Sequence, residues 1–176
     1  MGKFFAYGKD IPYNPDLAIE CYMQAASLGS KEAQYELGEC YAYGFLGLQK
    51  NLKEAIKYLE KASSKGFADA QYLLAEIYTE GEGIEQNWEE AAKLFTMAAD
   101  QGLPNAIYAL GCCYAKGRGL KQDWQEAAKC FKQAADQEIL AAAYSLGCCF
   151  KDGTGVEKIL KKLLNIIKKL PASALD

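Results

Sequence analysis

The sequence predicts an all-α fold, a solenoid of helix–turn–helix repeats of roughly 36 residues. Three observations carry that expectation. The blocks Ala33-Gln34-Tyr35-Glu36-Leu37-Gly38, Ala70-Gln71-Tyr72-Leu73-Leu74-Ala75, Ala106-Ile107-Tyr108-Ala109-Leu110-Gly111 and Ala142-Ala143-Tyr144-Ser145-Leu146-Gly147 recur at steps of 37, 36 and 36. Ala18, Ala55, Ala91 and Ala127 recur in the same register, each followed seven residues later by Ala25, Ala62, Ala98 and Ala134. Segments 70–102 and 106–138 are identical at seventeen of 33 positions, far beyond chance.

Each unit reads as two helices. In the first, Ala70, Leu74 and Tyr78 stand at i, i+4 and i+8, one stripe of a 3.6-residue helix. It stops at Gly81-Glu82-Gly83, Gly117-Arg118-Gly119 or Gly153-Thr154-Gly155, because glycine leaves a helix through positive φ at little strain. The second helix opens with Asn51, Asn87 or Asp123, all good N-cap residues, and ends at Gly29, Gly66 or Gly102. Its alanines allow close helix approach, while Trp88, Phe95, Trp124 and Phe131 supply apolar bulk. Nine helices are expected, at about 14–28, 31–43, 51–65, 68–80, 88–101, 104–116, 124–137, 140–151 and 157–170, with no sheet.

Composition narrows the function classes. A chain 51% hydrophobic and 24% charged is ordinary for a globular protein, and its 176 residues suit one short repeat array. A net charge of −3 gives no push toward nucleic acid. No apolar run reaches the ~18 residues of a membrane span, and the start lacks a signal-type apolar stretch, which points to the cytoplasm. The seven cysteines are odd in number and include the neighbours Cys112-Cys113 and Cys148-Cys149, so they read as reduced thiols. The chain has no histidine, which removes Ser-His-Asp and Cys-His nucleophiles and HExxH zinc chemistry.

The pattern A-x-Y-x-L-G-x-x-Y-x-x-G-x-G followed by A-A-x-x-F-x-x-A-A-x-x-G resembles the Sel1-like repeat over residues 4–156. Tetratricopeptide repeats compete, but their period is 34 and they lack the Gly-x-Gly turn. The resemblance implies a right-handed α-α superhelix whose concave surface, lined by the first helices, serves as a non-enzymatic adaptor for proteins. It sets the organisation as one repeat domain: a partial first repeat at 4–30, repeats at 31–66, 67–102 and 103–138, a last repeat at 139–170 with a divergent capping helix, and a tail at 171–176.

Three departures stand out. The turn Tyr41-Ala42-Tyr43-Gly44-Phe45-Leu46-Gly47 carries one extra residue, with Phe45 and Leu46 where a polar residue usually sits. The chain opens mid-repeat, with Phe5 and Gly8 in register with Tyr78 and Gly81, which reads either as a piece of a longer array or as a terminus with an irregular cap. After Gly155 the alanine pattern gives way to an amphipathic stretch, 156–170, with apolar Ile159, Leu163, Leu164 and Ile167 on one face and lysines elsewhere. That stretch reads as a capping helix; as an alternative, its basic amphipathic character recruits a regulatory fragment to a membrane surface.

Candidate chemistry is sparse. Cys40, Cys113 and Cys149 align with Ile77 and read as core fillers, whereas Cys112 and Cys148 align with Glu39 and Glu76 at a more exposed place. Adjacent cysteines lack the C-x-x-C spacing of zinc sites, so no metal or other cofactor is expected. Disulfide-bonded Sel1-like proteins associated with β-lactam hydrolysis pair their cysteines within each repeat; that pairing is missing, so no catalytic residue is assigned. The expected partner-binding residues, by analogy with tetratricopeptide repeats, are Tyr35, Tyr72, Tyr108 and Tyr144, with Glu39, Glu76, Cys112 and Cys148 one turn on. The rival reading has those tyrosines packing between neighbouring helices. Because Glu32, Glu36, Glu39, Asp69, Glu76, Glu80 and Glu82 cluster early and Lys116 and Arg118 come later, the expected partner is a protein or peptide with a basic segment lying toward the first two full repeats.

Overall fold

The computed structural model describes residues 13–154. Among them are eight helices and no strand: α1 (Pro15–Ser27), α2 (Lys31–Tyr43), α3 (Leu52–Ser64), α4 (Ala68–Glu80), α5 (Trp88–Asp100), α6 (Pro104–Lys116), α7 (Trp124–Ala135) and α8 (Leu140–Asp152). These lie within two residues of the bounds expected for the first eight helices. The expected helix at 157–170, the opening of the partial first repeat and the tail at 171–176 lie outside the described residues.

Side chains and turns that recur with the repeat set these boundaries. Asn14, Asn51, Asn87 and Asp123 stand in extended backbone, and their side-chain oxygens accept from the N–H groups of Leu17, Glu54, Glu90 and Glu126. Each such cap is worth about 1 kcal/mol. The turn between the two helices of a repeat is closed by a recurring backbone bond: Asn51 N–H to the Tyr41 carbonyl at 2.8 Å, Asn87 to Tyr78 at 3.0 Å and Asp123 to Tyr114 at 3.0 Å. Second helices are followed by a left-handed residue, Gly29, Gly66 or Gly102, at φ of 95°, 74° and 85°. In the fourth case that place falls to Glu138 at φ 67°.

The chain forms two compact units, the first ending at Leu103 and the second beginning at Pro104. In the first unit α2 packs on α3 and α4 on α5, with α1 against α2 and α3 against α4. The alanines at the expected close-approach sites, Ala18, Ala55, Ala62, Ala91 and Ala98, are fully buried. At Gly38 a Cβ would stand 2.6 Å from Leu59 Cγ, so α2 and α3 keep their separation only with glycine there. The second unit repeats the device with α6 on α7, where a Cβ at Gly111 would meet the Phe131 ring at 2.8 Å. Cys40, Cys113 and Cys149 are buried like Ile77, as their register requires, and all seven cysteines are free. Trp124 fills less of the core than expected: at the first position of α7 it remains 39% exposed.

Two buried glutamines strengthen the first unit. Gln34 Nε2 donates to the Ala26 carbonyl at 3.1 Å, and Gln71 Nε2 donates to the Ser63 carbonyl at 3.3 Å while its Oε1 accepts from Gln101 at 2.7 Å. Each ties a first helix to the end of the second helix before it.

Replacing Gln71 by alanine leaves the Ser63 carbonyl without that donor and opens a void, so stability should fall by about 2–4 kcal/mol, measured by urea denaturation. An unchanged midpoint would remove Gln71 from the account. Glu138→Gly relieves a left-handed non-glycine residue and should raise stability by about 1 kcal/mol, read from the same curves.

Candidate functional site

The first-helix face is built by an i, i+4 repeat. In the first unit the Tyr35 ring lies 5.3 Å from that of Phe67, and the Tyr72 ring 5.8 Å from that of Phe95. The hydroxyls point onward along the helix, Tyr35 donating to Glu39 Oε1 at 3.1 Å and Tyr72 to Glu76 Oε1 at 2.6 Å. The rings of Tyr35 and Tyr72 therefore pack between helices, as the rival reading expected, while their hydroxyls hydrogen-bond along their own helix. Burial, with the neighbouring carboxylate added to it, holds both phenols far above their ordinary pKa.

Electrostatics concentrate around a residue that sequence reading passed over. Tyr43, 53% exposed at the end of α2, feels the carboxylates of Glu76, Glu80 and Glu39; burial first and those charges second raise its pKa. Glu76 itself is half-buried, and burial followed by repulsion from Glu80 raises its pKa, although the Tyr72 hydrogen bond pulls the other way. Glu82 is already paired, to Lys50 at 2.6 Å. The signal for Tyr43 was its register, since it occupies the place of Glu80 and Lys116 just before the turn glycine.

In the second unit the same positions carry different chemistry. The Tyr108 ring lies 5.8 Å from that of Phe131, and Tyr108 lines one cavity together with Ser145 and Cys112. Burial raises the Cys112 pKa. Tyr144 is 77% exposed, and Cys148 is half-buried. Tyr108, Cys112, Tyr144 and Cys148 share one cavity of about 390 Å³, walled also by Trp124 and Phe131. In register, Ser145 stands where α4 has Leu73, which is 5% exposed, and Cys149 where α4 has Ile77.

Ser145→Leu restores the residue that the earlier repeat carries. It should raise the melting temperature by an amount equivalent to about 1 kcal/mol and slow thiol modification of Cys112 and Cys148. Buried Cys113 and Cys149 should be the slowest of the four in either protein; faster labelling of those two would show that the thiol faces are misassigned.

The geometry agrees with what the comparisons find. The Sel1 repeat family matches residues 1–30, 31–67, 68–103, 104–138 and 140–160. Among solved structures, c5321, a protective antigen present in uropathogenic Escherichia coli strains displaying an SLR fold, is 29% identical with a TM-score of 0.85, over 89% of this chain and 33% of that one. A Sel1 repeat protein from Oxalobacter formigenes is 28% identical with a TM-score of 0.79, over 88% of this chain and 62% of that one. This chain thus spans about a third of the first structure's length and less than two thirds of the second's. Helicobacter pylori cysteine rich protein B, 20% identical over 79% of this chain and 99% of its own, shares the fold at a TM-score of 0.59. No curated protein matches the chain significantly. With an all-helical fold and five matched repeats covering most of its length, the chain belongs to the Sel1 repeat family.

Proposed function

We propose that this chain is a non-enzymatic scaffold that holds a protein partner on its first-helix face, with a basic segment of the partner lying on the first unit. The observation that carries the reading is the group of Glu39, Glu76 and Glu80 around the half-exposed Tyr43. Glu76 is held partly out of water beside another carboxylate, an arrangement that costs free energy in the isolated protein and is relieved by an incoming cation. Tyr35, Glu39, Tyr72 and Glu76 form the binding positions of the first unit in this reading. Tyr108, Cys112, Tyr144 and Cys148 form those of the second unit, where thiols replace the carboxylates.

No feature in the reading calls for nucleic acid or a cofactor. No described helix is long and apolar enough to cross a membrane. The membrane-recruitment alternative rests on residues 156–170, outside the described residues.

The test is capture of partners from a lysate by the intact chain and by Glu39→Lys and Glu76→Lys, alongside titration with a pentalysine peptide. Charge reversal should weaken peptide binding at least about fivefold and deplete the captured partner. Equal binding by all three proteins would overturn the reading. The pH dependence follows from Glu76: its carboxyl must be ionised to meet a cation, and its pKa lies above the ordinary carboxylate value. Peptide binding should therefore strengthen as pH rises through that raised pKa and then level off. Glu76→Gln should flatten the profile. That variant should also stabilise the folded protein slightly above this pKa, because a carboxyl protonated more readily in the folded state loses stability as pH rises through its folded pKa.

A further inference from the structure

Each first helix with a glycine at its closest approach has a second helix against it, except α8. Gly38 and Gly111 are buried, and a Cβ at either would meet Leu59 at 2.6 Å or Phe131 at 2.8 Å. Gly147 holds the same register in α8, yet it is exposed, and a Cβ there would meet no described atom within 4 Å. The rest of that face is bare too. Leu140, Ala143, Tyr144, Gly147 and Phe150 share one stripe of the helix and are all exposed, Leu140 by 86% and Phe150 by 47%. In α6 the matching Ile107 and Gly111 are buried. The side of α8 that is covered is the opposite one, where Ala142 is buried and Cys149 joins the core made with Ala127, Ala128 and Phe131 of α7. An apolar stripe left open on a helix packed from behind marks a surface for another segment.

We propose that this face is the docking surface for the chain's own residues 160–170, which pack on α8 as the second helix of the last repeat. Those residues lie outside the described ones, and their register singles them out. Second helices begin seven residues after the left-handed glycine of the turn, Trp88 after Gly81 and Trp124 after Gly117, which puts the matching start at Leu160 after Gly153. At a step of 36 residues, Leu163, Leu164, Ile167 and Leu170 stand in register with Ala127, Ala128, Phe131 and Ala134, all buried. Lys161, Lys168 and Lys169 stand in register with Gln125, Lys132 and Gln133, all exposed. The segment thus carries apolar residues at the places that face a first helix and charge at the places that face water. Ile167 follows Gly147 by 20 residues, as Phe131 follows Gly111, so Ile167 is the residue that meets the glycine. Docking covers two apolar faces at once, which favours it over a segment lying on a lipid surface while α8 stays bare.

Gly147→Ala in the full chain tests the docking by the sign of its effect. In a helix interior open to solvent, alanine in place of glycine raises stability, because glycine loses more backbone freedom on folding. Against a closely packed second helix the added methyl must push its neighbour away, as it would at Gly111. Gly147→Ala should therefore lower the melting temperature by at least about 2 °C, in the same direction as Gly111→Ala. Ile167→Ala identifies the occupant: in that background the loss from Gly147→Ala should shrink to less than about half. Lys168→Ala, at an exposed place in the register, should leave the loss unchanged. All variants are melted over a tenfold range of protein concentration. A melting temperature that rises or stays level on Gly147→Ala would mean that the face is bare and the proposal wrong. A loss undiminished by Ile167→Ala would reject residues 160–170 as the occupant. A loss seen only at the higher concentrations would assign the face to a second copy of the chain and sink the proposal as well.

Discussion

The close approach of the two helices in each repeat is the constraint on which the rest of the structure depends. In the first unit it is made by Gly38 against Leu59 and by the fully buried alanines of α3 and α5. In the second it is made by Gly111 against Phe131 and by Ala127 and Ala134. Such contacts leave room for one bulky residue per pair, and Leu59, Phe95 and Phe131 take that role in turn. Because one side of every first helix is committed to this contact, its large and polar residues collect on the other sides. Tyrosine at one position and glutamate or cysteine four residues on is the result, and it recurs because the constraint recurs.

Chemistry therefore varies where packing does not. The same i, i+4 places hold Tyr72 with Glu76, joined through the phenol hydroxyl, and Tyr108 with Cys112. Exchange of glutamate for cysteine changes the face from anionic to polarizable. At a packing position the exchange is of Leu73 for Ser145, and Ser145 lines the cavity of the second unit.

The turn after α2 is the clearest local departure from the repeat. Gly81 and Gly117 start compact turns, each with a second left-handed glycine two residues later. After α2 the path needs Gly44, Leu46 and Gly47 all at positive φ. A leucine held there is strained, and its burial against α1 and α2 offsets that cost. Insertion thus turned a connection into a wall.

Much of the fold was legible in the sequence because it is encoded by short-range rules repeated four times. Asn51, Asn87 and Asp123 cap helices as their chemistry dictates, and Gly29, Gly66 and Gly102 leave them through positive φ. Alanine spacing marked the buried face, and the alignment of Cys40, Cys113 and Cys149 with Ile77 marked buried thiols. The positions of the tyrosines and glutamates were readable too, since i and i+4 always share a helix face. Tertiary structure alone decided what those residues do. That a carboxylate is half-buried beside another, that Tyr43 feels three of them, and that Tyr13, Tyr22 and Phe45 line one cavity with Glu36 all depend on contacts between segments distant in sequence. Burial and field are sums over neighbours in space, and a repeat pattern names only the neighbours along one helix.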